Sequence, residues 1–551
     1  MPHPKAALLH ALAQLQRAPV AASFGLAVHD PERAQRRRLR ELLERNSDTR
    51  FGRAHGLEPG LTPEQYAERV PLMTAAELAP WVQSEMNGEE RVLTTERPVY
   101  YVRTTGSTGA PKHVPITRAY RVEFQKTVQV ALFHLFLRFP EAFTSTALYF
   151  VGSRKVARAP DGCDVGTMSG FNFTEMPPAV RSIYAWPYEL FEVKDLGTRT
   201  YLALWLATVG DISLIAGIFP APIVYLLRDL AEQAPYLARN VRDGRLPEWL
   251  KLDEAQRAFF AKKLHPNPAA ARRLERAASA PLEEKAVEAW PSLRLVYCWT
   301  TATAALYVPE LQRRLPHVAI RDAIYSACEG WASIPVGDPE PGGPLAIQSV
   351  YFEFIEEAAY LAGRRDTLPA WGLQDGKRYL IVMTTGAGLY RYVLGDIVEV
   401  CGFHQRTPRI RFVRKLGAAS NLAGEKLEEE HVNRAVGDAL RELGIDATYF
   451  TLAPRLGRER PGYALYFEPR GSPGSERLEQ LRARVDEHLG AASFDYARLR
   501  AGKQLEALEL ELLPLGTYAR VRQERVGEGS AEAQLKTAHL VADPASLPFK
   551  V

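Results

Sequence analysis

Apolar residues recur at helical spacing in two long stretches of the first half of the chain. Residues 30–46 are predicted to form a helix, because Asp30 and Pro31 supply an N-cap and a proline at the first helical position. Residues 119–139 are predicted to form a second, strongly apolar helix. Its apolar positions share one face: Phe124, Val128, Leu132, Leu135 and Phe136. Both helices therefore present an apolar stripe to a core.

Short β-rich runs alternate with helical stretches up to about Arg414. The predicted strands are 147–151, 293–299, 318–320, 323–325, 346–354, 378–384 and 397–400. Such alternation predicts a large α/β domain, in which ligands bind at the carboxyl ends of strands. Residues 200–230 are predicted to be mainly helical, and the Gly/Ser/Met-rich segment 162–173 to be a flexible pocket loop. The apolar stretch 212–227 contains two prolines, which favours core or pocket wall over a membrane span.

The pattern changes after Arg414. Amphipathic helices are predicted at 426–443 and 475–489, with strands at 447–452, 463–467 and 505–513. This is the pattern of a compact α+β module. We therefore predict an N-terminal domain over 1–412, a hinge at 413–418 and a smaller, mobile C-terminal domain over 419–551.

Composition and charge narrow the class of protein. The 551 residues are 46% apolar with a net charge of +4, which argues against the concentrated basic surface of a dedicated nucleic-acid binder. Arginines at 36, 37, 38 and 40 favour a solvated helix face over a phosphate site. The four cysteines lie far apart, and the N-terminus lacks a continuous apolar segment. These features predict a soluble cytoplasmic protein without disulfides, zinc or a membrane span; they do not indicate its oligomeric state.

Small residues and hydroxyls crowd the segment between Tyr100 and Pro115. Backbone N–H groups in such a turn form an anion-binding concavity, glycines allow close approach, and Lys112 adds a flexible positive charge. The spacing fits neither the P-loop nor the dinucleotide-binding pattern. A polyphosphate cradle and an ordinary Gly/Ser/Thr turn both remain open. The candidate cradle residues are Thr104, Thr105, Gly106, Ser107, Thr108, Gly109 and Lys112.

Three further motifs follow the cradle, and their order resembles that of the adenylate-forming superfamily. The run from Tyr325 to Glu329 resembles its Tyr-x-x-x-Glu motif. The run from Tyr390 to Asp396 resembles Tyr-Arg-x-x-Gly-Asp, with one extra residue before Gly-Asp. Arg414 stands where the superfamily has a hinge arginine. The resemblance implies an α/β fold with a large N-terminal adenylate-forming domain and a smaller mobile α+β domain.

Within that superfamily the chain resembles the auxin-responsive-promoter (Gretchen Hagen 3) family of acyl acid amido synthetases from about residue 36 to 540. The matching segments are 42–52, 70–71, 290–293, 388–392, 395–396, 402–404, 425–428 and 534–537. The cradle departs from the family because it is one residue tighter. Ala538 and His539 also replace the family's Pro-Arg, which weakens the assignment of Lys536.

The resemblance implies a set of roles that elementary chemistry supports. Adenylation with ATP gives a carboxylate a good leaving group, and the charge on pyrophosphate must be neutralised, here by Lys112, the cradle amides and Mg²⁺. Glu329 is the implied Mg²⁺ ligand, and Asp396 accepts hydrogen bonds from both ribose hydroxyls. The implied catalytic residues are Lys536, Glu329 and Lys426. The implied nucleotide-binding residues beyond the cradle are Thr301, Tyr325, Ser326, Asp396 and Arg414.

The implied function is an ATP-dependent ligase that adenylates a small carboxylic acid and transfers the acyl group to an amino acid's amine. The apolar, aromatic segments 119–139, 162–173 and 213–225 favour an aromatic or medium-chain acid. An acyl-CoA ligase and a catalytically inactive acyl or nucleotide binder remain alternatives. Coenzyme A consumption distinguishes the first alternative, and the presence of both Glu329 and Asp396 argues against the second.

Overall fold

The computed structural model describes residues 4–104, 112–337, 339–416, 419–420, 422–423, 425, 427–455, 460–501, 505–527 and 538–549. Its described residues divide into two compact units, with the boundary between Phe412 and Val413. Within the described residues, no helix is long and apolar enough to cross a membrane. The hinge at 413–418 and the mobility of the second domain stay predictions.

Helices make up most of the N-terminal part of the first unit. The Asp30 side chain accepts a hydrogen bond from the Arg33 amide, which caps the helix Pro31–Asn46 and confirms its predicted start and end. Capping boxes at Thr62 and Thr74 begin two of the next helices. The helices of this region are Pro4–Ala27, Pro31–Asn46, Arg50–Ala54, Pro63–Arg69 and Ala75–Met86. The long helix predicted at 119–139 follows them as Arg118–Arg138.

A parallel sheet of four strands lies within the first unit. Its strands, in spatial order, are Thr146–Tyr149, Ile212–Ala216, Leu295–Cys298 and Ala319–Asp322. The helices in the same part of the chain are Pro178–Arg181, Leu196–Gly210, Ala221–Asp243, Glu254–Lys263, Pro268–Ser279, Lys285–Ala289 and Val308–Arg314, with 3₁₀ turns at Pro140–Phe143, Tyr188–Leu190 and Ala302–Tyr307.

The prediction that residues 200–230 are mainly helical is wrong at Ile212–Ala216, which is an inner strand of this sheet. A strand inside a parallel sheet is covered on both faces and reads as a continuous apolar run, so its periodicity does not distinguish it from a buried helix.

The prediction of a flexible loop at 162–173 is also wrong. This segment forms the strand Asp164–Gly166 and most of the helix Met168–Thr174. Its glycines allow close packing: a Cβ on Gly166 would lie 2.0 Å from the Arg154 carbonyl oxygen. The strand belongs to a four-stranded sheet whose order is Lys112–Ile116, Tyr100–Thr104, Asp164–Gly166 and Ala157–Arg158.

A six-stranded sheet completes the first unit. Its order is Gly343–Pro344, Thr407–Lys415, Tyr392–His404, Arg378–Thr384, Tyr351–Glu356 and Leu368–Pro369. The strand predicted at 346–354 begins only at Tyr351. Before it, the Gln35 amide nitrogen donates to the carbonyls of Ile347 and Val350, at 2.8 and 2.7 Å, and holds this segment as a turn. The remaining elements here are the helix Glu357–Leu361 and the 3₁₀ turn Ala370–Gly372.

The prediction of a solvated arginine face at 36–40 fails at Arg38. Arg36 and Arg37 do form exposed pairs with Glu32 and Glu41. Arg38, however, is buried and hydrogen-bonds the buried carboxylate of Glu123, which Arg45 also contacts at 3.0 Å. Glu123 lies 85 residues away along the chain, so no local pattern reveals the pair.

The second unit is an α+β module. Its sheet contains Ala447–Arg455, Gly462–Pro469 and Glu509–Leu512, where the last strand is shorter than the predicted 505–513. A two-stranded ladder joins Ala419–Ser420 to Leu427–Glu428. The helices are Glu429–Leu443, Ser475–Ala492, Phe494–Ala501 and Thr517–Gly527, with a 3₁₀ turn at Pro544–Ser546. This element order confirms the predicted class of the C-terminal region.

Candidate nucleotide and metal site

The predicted phosphate cradle lies between two paired strands of the first unit. Tyr100–Thr104 and Lys112–Ile116 are antiparallel, with Thr104 opposite Lys112 in the register. The Lys112 side chain is exposed. Between them, Thr105, Gly106, Ser107, Thr108 and Gly109 lie outside the described residues. The two ends of the cradle segment are therefore adjacent, and its proposed phosphate contacts stay a prediction.

Two other candidate segments lie at one edge of the four-stranded parallel sheet. The strands Leu295–Cys298 and Ala319–Asp322 are neighbours and parallel, so the turns that follow them lie at the same edge. The buried Asp322 carboxylate accepts hydrogen bonds from the amides of Thr300, at 2.9 Å, and Gly342, at 2.8 Å. Its pKa is raised by burial. Asp322 thereby positions the turn that contains Thr301.

The Tyr325–Glu329 motif forms a tight hairpin beyond this edge. Tyr325–Ser326 pairs with Trp331–Ser333, and the amide of Ala327 donates to the Gly330 carbonyl at 3.0 Å. Glu329 thus lies in the hairpin turn. The Tyr120 hydroxyl, from the helix Arg118–Arg138, donates to the carbonyl of Cys328 at 3.2 Å and supports this turn.

Asp396 lies on the strand Tyr392–His404 and is only 6% exposed. Its Oδ2 accepts a hydrogen bond of 2.6 Å from the Tyr325 hydroxyl. Burial and the Asp396 charge hold the pKa of Tyr325 well above its usual value. The Phe412 ring packs beside Tyr325, with 5.6 Å between the ring centres.

A second tyrosine reaches the other candidate carboxylate. The Tyr392 hydroxyl donates to Glu329 Oε1 at 3.3 Å, and burial and the Glu329 charge raise its pKa. Two hydrogen-bonded pairs, Tyr325–Asp396 and Tyr392–Glu329, therefore lie close together and form one group of four side chains. Within the described part of the chain, neither Lys112 nor Thr301 hydrogen-bonds to this group.

The donor set at Glu329 suits Mg²⁺ shared with a substrate. Among the described residues, no group of three or more His, Cys, Asp or Glu side chains is placed to hold a metal ion. The described residues therefore supply no such metal cage by themselves. Mg²⁺ is commonly held by one or two carboxylates together with substrate phosphates, and a single Glu329 carboxylate fits that arrangement.

Arg391 is a residue of this region whose role the sequence did not indicate. It is 5% exposed and all five of its N–H donors are engaged. They reach Glu353, at 2.9 to 3.2 Å, the carbonyls of Ala67 and Val70, both at 2.8 Å, and the Thr367 hydroxyl, at 3.0 Å. Arg391 therefore fixes the backbone immediately before Tyr392, where its own φ is +42°.

The second unit contains Arg414 and the neighbours of Lys426. Arg414 is 5% exposed and forms an ion pair of 2.8 Å with Glu428. Glu425 is buried, and its carboxylate accepts hydrogen bonds from the amides of Leu422, at 2.7 Å, and Ala423, at 2.8 Å, and from the Tyr463 hydroxyl. The chain on the N-terminal side of Lys426 is thus anchored. Lys426 and Lys536 themselves lie outside the described residues.

His539, one of the departures near the C-terminus, is a packing residue. Its ring stacks on Tyr449, with 4.4 Å between the ring centres, and its Nδ1 lies 2.8 Å from the Phe450 carbonyl oxygen. Burial lowers the pKa of His539 to about 4, so the ring is neutral at pH 7. The departure at this position is therefore explained by the core of the second unit.

Three domain models of one known family match most of the chain. Residues 20–320 match the GH3 family N-terminal domain, residues 343–415 its central domain and residues 430–545 its C-terminal domain. The chain is 25% identical to jasmonoyl--L-amino acid synthetase JAR6 of Nicotiana attenuata, over 93% of this chain and 91% of that protein. It is 26% identical to indole-3-acetic acid-amido synthetase GH3.10 of Arabidopsis thaliana, over 92% of each.

Solved structures share the fold. GH3.15 acyl acid amido synthetase superposes with a TM-score of 0.84 at 21% identity, covering 96% of this chain and 94% of that one. A 2-hydroxyisobutyryl-CoA ligase in complex with 2-HIB-AMP superposes with a TM-score of 0.53 at 12% identity, covering 93% and 90%. The predicted fold class, with a large α/β part followed by a smaller α+β part, is confirmed.

Proposed function

Because the chain belongs to the GH3 family, we propose that it is an acyl acid amido synthetase, which couples a small carboxylic acid to an amino acid at the expense of ATP. The family membership predicted from the Gretchen Hagen 3 motifs is confirmed. The names of the relatives, which are amino acid synthetases and amido synthetases, support an ATP-dependent ligase that forms a C–N bond.

The observation that carries the proposal is a pair of hydrogen bonds. The Tyr325 hydroxyl donates to Asp396, and the Tyr392 hydroxyl donates to Glu329 and holds it beside them. An ionised carboxylate can accept hydrogen bonds from two neighbouring hydroxyls, which suits Asp396 to the two hydroxyls of a ribose. Glu329 is available to a metal that also contacts phosphate oxygens. When bound, Mg²⁺ supplies charge neutralisation for the departing pyrophosphate.

The remaining roles follow the chemistry of the two half-reactions. The cradle, from Thr104 to Lys112, binds the phosphates and stabilises negative charge as the bond to pyrophosphate breaks. Arg414 and Lys426 hold the ribose or the α-phosphate, and Lys536 stabilises the adenylation transition state.

In the first half-reaction the substrate carboxylate attacks the α-phosphorus of ATP, and pyrophosphate leaves. The amine of the amino acid then attacks the acyl carbon and AMP leaves. Rotation of the C-terminal domain at 413–418 exchanges the two active arrangements.

We place the enzyme in the cytoplasm. The four cysteines lie far apart along the chain and Cys298 is a buried thiol, which suits a reducing compartment.

The test is pyrophosphate release from Mg·ATP across a panel of carboxylic acids, each with and without a mixture of amino acids. We expect acid-dependent release that rises with amino acids, together with an amide product identified by mass. Release that depends on coenzyme A would indicate an acyl-CoA ligase instead. ATP binding without release for any acid would indicate an inactive binder.

Replacing Asp396 by asparagine should weaken nucleotide binding by about 1–3 kcal/mol, or about 5- to 150-fold, since a hydrogen bond to a charged group is lost. The measurement is the dissociation constant of AMP by calorimetry. The matched control is Asp375→Asn, whose carboxylate accepts a hydrogen bond from the Gly402 amide in a turn. Unchanged AMP affinity in the Asp396 variant would contradict the proposed ribose site.

A further inference from the structure

In the candidate site, the tyrosine of each motif donates a hydrogen bond to the carboxylate of the other motif. In each motif a tyrosine precedes the carboxylate by four residues: Tyr325 and Glu329 in the first, Tyr392 and Asp396 in the second. The Tyr325 hydroxyl donates to Asp396 of the other motif, and the Tyr392 hydroxyl donates to Glu329 of the first. On the basis of the proposed function, we propose that these are reciprocal positioning residues: Tyr392 orients Glu329 toward Mg²⁺, and Tyr325 orients Asp396 toward the ribose.

The strand that contains Asp396 has a bulge in the three residues that end at Asp396. Its pairing with Arg378–Thr384 passes from Val382 opposite Val393 to Leu380 opposite Ile397. Three residues therefore face one, and Gly395 within this bulge has a φ of +78°. Bulges near active sites redirect side chains, and this one accompanies the turning of Asp396 onto the Tyr325 hydroxyl.

Both tyrosines are held by other contacts, so their hydroxyls are placed before any ligand arrives. The amide of Met73 donates to the Arg391 carbonyl at 3.0 Å, and the amide of Val393 donates to the Met73 carbonyl at 2.8 Å. These bonds flank Tyr392. Tyr325 is paired with Ser333 in its hairpin and packs beside the Phe412 ring. A hydroxyl that is already fixed loses little freedom when it orients a carboxylate.

A neutral donor suits both carboxylates. A lysine or arginine at these positions would offset the negative charge that Mg²⁺ requires and would compete with it. A tyrosine hydroxyl is neutral at physiological pH and occupies one of about four acceptor positions of a carboxylate. It therefore selects an orientation and leaves the negative charge of the carboxylate in place. Because the two hydroxyls serve different carboxylates, removing each should affect a different ligand.

The test uses the full-length protein with Tyr392→Phe and Tyr325→Phe, which remove only a hydroxyl. Calorimetry with AMP in EDTA measures nucleotide affinity without metal, and ATP binding titrated with Mg²⁺ gives the half-saturating metal concentration. We expect Tyr392→Phe to raise the half-saturating Mg²⁺ about threefold to tenfold and to leave AMP affinity within about twofold. Tyr325→Phe should weaken AMP binding about threefold to tenfold and leave the Mg²⁺ requirement unchanged.

The matched control is Tyr390→Phe. The buried Tyr390 belongs to the same motif, but its hydroxyl donates to the Leu93 carbonyl at 2.6 Å. This variant should lower the melting temperature and change neither ligand's affinity, which separates a positioning effect from general destabilisation.

The inference is supported if Tyr392→Phe changes only the Mg²⁺ requirement and Tyr325→Phe changes only the AMP affinity. Two variants that change both ligands equally, or a Tyr392→Phe variant with wild-type Mg²⁺ dependence, would overturn it while the proposed function stands. A wild-type protein that binds neither AMP nor Mg·ATP would overturn the proposed function, and the inference with it.

Discussion

Arg391→Met should lower the free energy of unfolding of the first unit by about 3–5 kcal/mol, which is the cost of breaking a buried ion pair by removing one partner. Glu353 is 4% exposed and would keep its charge without the guanidinium. The carbonyls of Ala67 and Val70 would lose the Nη1 donors that now reach them at 2.8 Å. Methionine keeps an unbranched apolar chain as far as its fourth side-chain atom but has no donor, so every one of these bonds disappears.

Tryptophan fluorescence during urea unfolding measures this loss selectively, because all eight tryptophans precede Val413. Arg36→Met is the matched control, since Arg36 pairs with Glu32 at 2.9 Å on the surface, and exposed pairs contribute about 0–1 kcal/mol. Arg391→Lys should lie between the two, because it keeps the charge but not the five-donor fork. Equal midpoints for Arg391→Met and Arg36→Met would refute the anchoring role.

That anchor connects stability to the site. Arg391 immediately precedes Tyr392, whose hydroxyl contacts Glu329. The strand then continues through the bulge to Asp396. A loss of the anchor should therefore disturb both carboxylates at once, in contrast to the separate effects of the two tyrosine variants. On the proposed roles, the motif combines Arg391, which holds the chain, Tyr392, which orients Glu329, and Asp396, the carboxylate proposed to bind the ribose.

The sequence predicted the fold best where turn residues bound a short apolar run. The strand Arg378–Thr384 has the predicted bounds, and the helices Pro31–Asn46 and Ser475–Ala492 begin where capping or polar residues indicated. Prediction failed at Ile212–Ala216, where burial on both faces removes the alternation that identifies a strand. It failed again at 162–173, because glycines that allow close packing resemble glycines of a loop.

For the candidate site, too, the sequence predicted some features and missed others. The types of residue and their order indicated that Tyr325, Glu329 and Asp396 belong together, and the structure places them together. The sequence did not indicate which tyrosine serves which carboxylate, because that depends on how the hairpin meets the bulged strand. Nor did it indicate Arg391 or Arg38 as buried ion-pair residues, since their carboxylate partners lie 38 and 85 residues away.

Lys536→Ala should slow adenylation about 10²- to 10³-fold, which is the effect of removing one preorganised electrostatic contact to a transition state. Lys536 lies outside the described residues, so the expectation rests on the resemblance of residues 534–537 to the family's C-terminal motif. If the lysine acts only while the α-phosphorus is attacked, amide formation from a supplied acyl adenylate should stay within about threefold of wild type.

Measuring the two half-reactions separately tests this assignment: acid-dependent exchange of pyrophosphate into ATP reports adenylation, and amide formation from synthetic acyl adenylate reports transfer. Lys503→Ala provides a matched loss of a C-terminal-domain lysine and should leave both rates near wild type. Since Ala538 and His539 replace the family's Pro-Arg, this experiment also tests whether the departure has displaced the lysine from its role. Equal losses in both half-reactions, or wild-type exchange, would show that another group stabilises the adenylation transition state.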